Sequence, residues 1–147
     1  MGEKSSSTVT IAASAKDCIN VATDYESYSN WSDSVKSTEV IAKDGEGRGT
    51  EVKFTISAMG KEITYTAIYD YSDIPNGYSW QLGESDVVTQ LDGSYTFEET
   101  GEEVNATYAL EADLSLPMPG FMKKTAVKML VDKASQAMRN EVIKRKA

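Results

Sequence analysis

The side chains best suited to chemistry in this sequence are phenols and indoles. Tyr65, Tyr69, Tyr71, Tyr78, Trp80, Tyr95 and Tyr108 stand at alternate positions in runs of β-branched and apolar residues, and Tyr25, Tyr28 and Trp31 recur three apart ahead of them. Alternation puts the first group on one face of successive strands. The three-residue spacing puts the second on one side of a short helix. Each ring brings a large apolar body with a hydrogen-bonding tip, the mixture that lines pockets for hydrophobic small molecules. A solid core would draw on Leu, Ile and Val in defined rotamers. Met59, Met118, Met122, Met129 and Met138 add adaptable apolar surface. The plainer alternative stays open at this point: some tyrosines face solvent at strand ends and the methionines simply fill a core.

Other chemistry is poorly supplied. The chain has no His and a single Cys, Cys18. This removes His-based acid–base chemistry, Ser-His-Asp and Cys-His nucleophiles, disulfides, and His- or Cys-ligated metal sites. No metal ion or cofactor is expected. Cys18 sits in an apolar helical pattern and reads as a small buried side chain. Arg48 falls in a turn, and Arg139 and Arg145 fall late in the last helix, so none is placed to hold an oxyanion in a pocket. Glu84 and Asp86 lie at a strand end near a rim, and Gln81 and Glu84 could reach a polar ligand group if the strand bulges at Gly83. No nucleophile–base–orienter set results, and no catalytic residue is assigned.

The elements that must position these rings follow from the period of the apolar residues. Ser7–Ala12 alternates as a first strand, and residues 1–6 read as a disordered polar tail ahead of a single domain over 7–147. Ser14 and Asp17 form a capping box for a short helix over 15–22, and a second short helix covers 24–31. Six strands then follow in tight-turn succession: 35–42, 50–58, 62–71, 78–82, 87–98 and 104–114. The turns between them carry Gly, Asp, Asn and Pro. Leu116-Pro117-Met118-Pro119-Gly120 breaks the pattern. From there to Lys146 the chain has neither Pro nor Gly, and Met122, Ala126, Leu130, Ala134, Met138 and Val142 recur every four residues. Of this long helix, Phe121, Met122, Thr125, Met129 and Lys133 are expected to face the sheet across a gap. Hairpin-linked strands make an antiparallel meander with one covered face. A twisted seven-stranded sheet curls, so it is expected to wrap the long helix on its concave side, giving an α+β fold.

The charge is −8 overall and uneven. Residues 118–147 carry eight basic side chains against Asp132 and Glu141, so they hold +6 while the rest of the chain holds −14. A basic helix can contact nucleic acid or a protein partner, but an acidic pI of about 4.6 argues against nucleic acid, and an acidic sheet is a sufficient counterpart. No apolar run approaches the roughly 18 residues of a membrane span. The polar N-terminus does not read as a signal peptide, so a cytoplasmic protein is expected, as a monomer or weak dimer.

This order of elements, β-α-α-β-β-β-β-β-β-α, resembles the helix-grip fold of the START, birch-pollen-allergen and polyketide cyclase/dehydrase (SRPBCC) superfamily. The local matches are to its small bacterial cyclase/dehydrase-like and lipid-transport members. They include Asp24-Tyr25-Glu26-Ser27-Tyr28-Ser29-Asn30-Trp31, similar to a "D-x-x-x-Y-x-x-W" run; Val35-Lys36-Ser37-Thr38-Glu39-Val40; Asp92-Gly93-Ser94-Tyr95-Thr96-Phe97; and Leu116-Pro117-Met118-Pro119-Gly120 before a Lys-rich helix. The resemblance implies an apolar cavity between sheet and long helix for a lipid, polyketide or similar molecule, with the Tyr28–Trp31 region closing one end. The expected ligand-binding set is Tyr28, Trp31, Phe54, Tyr65, Tyr69, Trp80, Tyr95, Tyr108, Met122 and Met129. Three functions remain open: a carrier of a hydrophobic molecule, a polyketide cyclase/dehydratase-type enzyme, and a protein-interaction modulator that uses the basic helix.

Overall fold

The computed structural model describes residues 2–58, 60–115 and 117–146, with the backbone alone for Ala58. Met59 and Leu116, read above as parts of a turn and of the break before the last helix, lie outside the described residues. The order is β1 (Glu3–Ile11), α1 (Ala15–Ala22), a 3₁₀ turn (Tyr25–Ser27), α2 (Tyr28–Trp31), β2 (Val35–Lys43), β3 (Gly49–Ala58), β4 (Lys61–Asp70), β5 (Gly77–Ser85), β6 (Val88–Thr100), β7 (Glu103–Leu114) and α3 (Gly120–Lys146). The strands form one antiparallel sheet in the order β1-β7-β6-β5-β4-β3-β2. β2 to β7 are the expected meander, and the first strand returns beside the last.

Two local expectations are corrected. Residues 3–6 are strand, not tail: Glu3 to Ile11 pair residue by residue with Ala112 to Val104 of β7. Their serines mark an edge strand whose outer side is wet, and the ladder satisfies their backbone. The segment 24–31 is a 3₁₀ turn followed by one short α-turn instead of a single helix. Its Ser, Asn and Asp content competes locally with helical hydrogen bonds.

α3 is 27 residues long and β7 is 12, and at ~1.5 and ~3.4 Å per residue both span about 40 Å. The helix lies mainly along β1 and β7 and touches α1. Its buried stripe is Ala126, Val127, Val131, Ser135, Met138 and Val142. Ser135 Oγ donates to Val131 O at 2.9 Å, which satisfies the one hydroxyl in that stripe. Much of the helix's positive charge is answered from within the domain. Lys123 lies 3.8 Å from Asp113, Arg145 bonds Asp24 at 3.0 Å and Glu141 at 2.8 Å, and Lys146 reaches Asp17 at 3.1 Å. Such exposed pairs contribute little each, about 0–1 kcal/mol, but they set which end of the helix meets α1.

The predicted capping box is present. Asp17 N donates to Ser14 Oγ at 3.1 Å and Ser14 N donates to Asp17 Oδ2 at 3.2 Å. The bond from the Ser14 backbone, then Lys146, hold the Asp17 carboxyl below its usual range. Ser14→Ala is expected to destabilise the protein by about 1 kcal/mol in urea denaturation at neutral pH. A carboxyl depressed by folding stabilises above its unfolded value near ~4 and loses that contribution as pH falls through the folded value. The Oγ bond that Ser14→Ala removes does not titrate, so its cost should persist in acid, whereas Asp17→Ala, which removes the carboxylate, should cost less at pH ~3 than at ~7; an equal gap at the two pH values would show that the Asp17 charge is not part of the cap.

Candidate functional site

The concave face between the sheet and α3 carries an almost continuous belt of rings. Phe54 stacks on Tyr65 at 5.4 Å between centroids, Tyr28 lies 4.7 Å from Trp31, and Trp80 is 5.6 Å from Tyr69 and 5.4 Å from Tyr108. Tyr95 meets Tyr108 edge-on at 4.8 Å. Cross-strand register explains the belt: Phe54 pairs with Tyr65, Tyr69 with Trp80, Tyr78 with Tyr95, and Tyr95 with Tyr108. Trp80 pairs with Gly93, whose missing side chain leaves room for the indole to lie flat.

Because α3 leans on β1 and β7, the rest of the concave face is not filled. A cavity of about 110 Å³ remains. Tyr28, Trp31, Phe54, Tyr65, Tyr69, Trp80, Tyr95 and Tyr108 border it, eight of the ten residues expected in the site. Met122 and Met129 do not. Met129 is 42% exposed on the outer side of α3, Met122 is half-buried, and Phe121, Thr125 and Lys133 face outward as well. The helix residues at the cavity are Ala126, Val127, Leu130 and Ala134. The physical reason is helical phase: with α3 leaning on β1 and β7, Met129 falls on the outer side while Ala126, Leu130 and Ala134 turn toward the gap, and the short alanines leave it open. The four-residue stripe in the sequence already contained Ala126, Leu130 and Ala134, and that periodicity was the usable signal. Ser32, Ser34 and Val35, which border the cavity between α2 and β2, carried no distinguishing pattern.

The polar tips divide into two groups. Tyr71 donates to Gly49 O, so the 2.7 Å contact between Tyr25 and Tyr71 is a donation from Tyr25. Tyr28 donates to Ala22 O, and the Tyr78 hydroxyl lies 3.5 Å from the same carbonyl. Among the described residues, the hydroxyls of Tyr65, Tyr69, Tyr95 and Tyr108 have no partner, yet none is sealed off. All four side chains line the cavity. Tyr65, Tyr69 and Tyr108 keep some accessible surface although protein surrounds them, because that surface borders the void. Lost hydration pushes the phenols of Tyr28, Tyr65, Tyr69, Tyr78, Tyr95 and Tyr108 well above their usual range, and neighbouring phenols add to it for all but Tyr65. They are protonated at neutral pH and offer neutral hydrogen bonds. Cys18 is buried, and lost hydration with the charges of Asp17 and Glu99 pushes its thiol up to about 11.

The carboxylates read as rim groups lie away from this void. β5 does bulge, with Tyr65 opposite Ser85 and Ala67 opposite Leu82, but Glu84 is exposed and its N–H donates to Thr66 Oγ1 at 2.7 Å. Gln81 borders a shallow groove on the outer face of the sheet. Among the described residues that border the cavity none is charged. Among the described residues no helix is long and apolar enough to cross a membrane.

A family model described as "Polyketide cyclase / dehydrase and lipid transport" matches residues 3–146. No curated protein matches the chain. Among solved structures, a START superfamily protein from Mycobacterium smegmatis aligns with TM-score 0.87 at 22% identity, over 97% of this chain and 99% of that one. The Zhui aromatase/cyclase from Streptomyces sp. R1128 aligns with TM-score 0.84 at 14% identity, over 100% and 97%. A STAR-related lipid transfer protein from Xanthomonas axonopodis, as fragment 25–204, aligns with TM-score 0.72 at 17% identity, over 95% and 85%. With a family match over nearly its whole length and the helix-grip architecture of these structures, the chain belongs to the polyketide cyclase/dehydrase and lipid transport family.

Proposed function

We propose that the protein binds and carries a hydrophobic small molecule in the cavity between the sheet and α3. The observation that carries this reading is a void of about 110 Å³ walled by aromatic rings, among them four tyrosines whose hydroxyls have no hydrogen-bond partner among the described residues. A packed core has few voids larger than a water molecule, and buried hydroxyls there find partners. An apolar cavity of roughly 150 Å³ holds benzene, whereas drug-sized ligands take about 300–1,000 Å³. The closed form therefore accommodates about one ring, and a larger guest enters as α3 or the Trp31 end yields. The lipid-transfer and aromatase/cyclase relatives favour a hydrophobic guest of this kind.

Carriage is preferred to turnover on chemical grounds. Acid–base catalysis works best with groups that titrate near the working pH. The phenols here are raised far above it, and the described lining offers no carboxylate, ammonium or guanidinium.

Native mass spectrometry and thermal-shift measurements against neutral lipids and polycyclic ketones test the reading. A stoichiometric bound mass and a rise in Tm of several degrees are expected. A panel that leaves both mass and Tm unchanged sinks it. Leu130→Trp adds a second ring system from the helix into the void. It should weaken any guest at least tenfold while Tm stays level or rises by a few degrees, since filling a cavity regains lost contacts. Undiminished binding in that variant would move the site elsewhere.

A further inference from the structure

Among the described residues, one side-chain nitrogen is sealed from solvent without any hydrogen-bond partner: Nε1 of Trp31. An indole N–H can only donate, and the ring fixes its direction, whereas a phenol rotates and also accepts. Leaving such a donor bare costs about 1–3 kcal/mol. No neighbour answers it. The Tyr28 ring lies 4.7 Å away centroid to centroid, but its hydroxyl is turned to Ala22 O and accepts nothing from the indole. Trp31 also borders two spaces at once: the inner cavity, and a shallower surface pocket walled by Lys133, Gln136 and Asn140 of α3. The indole stands between them with Ser32 and Ser34, so a guest that outgrows the cavity at this end presses on it.

We propose that Trp31 is the specificity-determining residue of the cavity, its indole N–H donating to a ketone or similar carbonyl oxygen on an uncharged apolar guest. This rests on the cavity being the binding site. A guest that displaces the indole and presents an acceptor there turns the unpaired N–H into a bond. A hydrocarbon of the same shape fills the space and leaves the N–H bare. A carboxylate would also accept, but inside the cavity its charge would meet no cation among the described lining residues, and the outer pocket offers no net positive charge because Lys133 and Lys144 share it with Asp33 and Glu141; an unpaired buried charge is strongly unfavourable. The acceptor is therefore neutral.

The test compares 1-tetralone with tetralin, a ketone and a hydrocarbon of one shape, by calorimetric titration of the wild-type protein and of Trp31→Phe. The variant keeps a ring against Tyr28 and removes the donor together with part of the indole's bulk, and that loss of bulk acts on ketone and hydrocarbon alike. Trp31→Phe is expected to weaken tetralone about tenfold, a loss of about 1.4 kcal/mol, and to leave tetralin within about twofold. In the wild-type protein, tetralone but not tetralin should also move the Trp31 indole N–H resonance downfield in ¹⁵N-resolved spectra. That measurement stands even if the variant folds poorly. A tetralone-to-tetralin affinity ratio unchanged by the substitution, or an indole resonance indifferent to the ketone, overturns the proposal while the carrier reading survives. Failure of both compounds to bind the wild-type protein overturns the two together.

Discussion

Above pH ~10 the protein is expected to unfold completely within about one pH unit. Seven phenols, those of Tyr25, Tyr28, Tyr65, Tyr69, Tyr78, Tyr95 and Tyr108, are raised above their usual value, with lost hydration as the leading cause. In the unfolded chain each releases its proton near pH ~10. The folded state therefore binds more protons in alkali, and stability falls as pH rises. The contribution of these groups is fully present below pH ~10 and is lost above it. Each phenol removes ~1.4 kcal/mol per pH unit once the unfolded form is ionised, so the seven remove roughly 10 kcal/mol per unit. That equals the whole stability of a typical domain, about 5–15 kcal/mol. Tyr71, raised only to about 12 and less enclosed, is left out of this sum. Tyrosinate absorbance and far-UV circular dichroism should change together in one steep step near pH ~11. Gradual tyrosinate formation from pH ~10 with unchanged dichroism would mean that the rings are hydrated and the cavity is open to solvent. A saturating neutral guest should move the step upward, which makes the titration a second assay for binding.

The same rings explain what could be read in advance. Alternation of Tyr65, Tyr69, Trp80, Tyr95 and Tyr108 assigned them to one face of a meander, because a strand offers only two faces and a slip of one residue would expose them all. Six of the ten expected lining residues border the void for that reason, and Tyr28 and Trp31, three apart in α2, border it from the helical side. The helix was harder. Its stripe was legible, but a helix offers a continuum of faces, and which part of the stripe meets sheet and which meets void depends on how it leans. Leaning on β1 and β7 turned Val131 and Met138 into core, left Leu130 and Ala134 over the cavity, and put Met129 outside. The pairing of residues 3–6 was hidden for a different reason. Edge strands are held by backbone bonds, which a row of serines neither advertises nor prevents. The orphan N–H of Trp31 and the size of the void follow from packing distances, to which no spacing in the chain corresponds.

Behind the Trp80 wall of the cavity, Gly93 admits almost no change. At Gly93 a β-carbon would stand 2.1 Å from Cε2, 2.3 Å from Cζ2 and 2.3 Å from Nε1 of Trp80. Gly93 and Trp80 are paired across β6 and β5, so neither backbone can withdraw without breaking the ladder. The indole cannot rotate freely either. It is 6% exposed and ringed by Tyr69, Tyr78, Tyr95 and Tyr108 at 5.4–6.0 Å. An aromatic ring laid over a strand glycine is a recognised way to cover that residue's bare backbone, and here it also sets the cavity wall. Overpacking usually costs about 1–3 kcal/mol, occasionally more. Three clashes with one rigid, enclosed ring put Gly93→Ala at the upper end, about 3 kcal/mol, or a fall in Tm on the order of 10 °C. Trp80→Leu alone should also destabilise the protein, through lost burial and a larger void. In the double variant the two changes should not add, because the leucine removes the atoms that the new methyl meets. Full additivity by chemical denaturation would show that Gly93 is required for its backbone and not for the space it leaves to Trp80. A clear shortfall from additivity would make the glycine and the indole one unit, chosen together to shape the pocket.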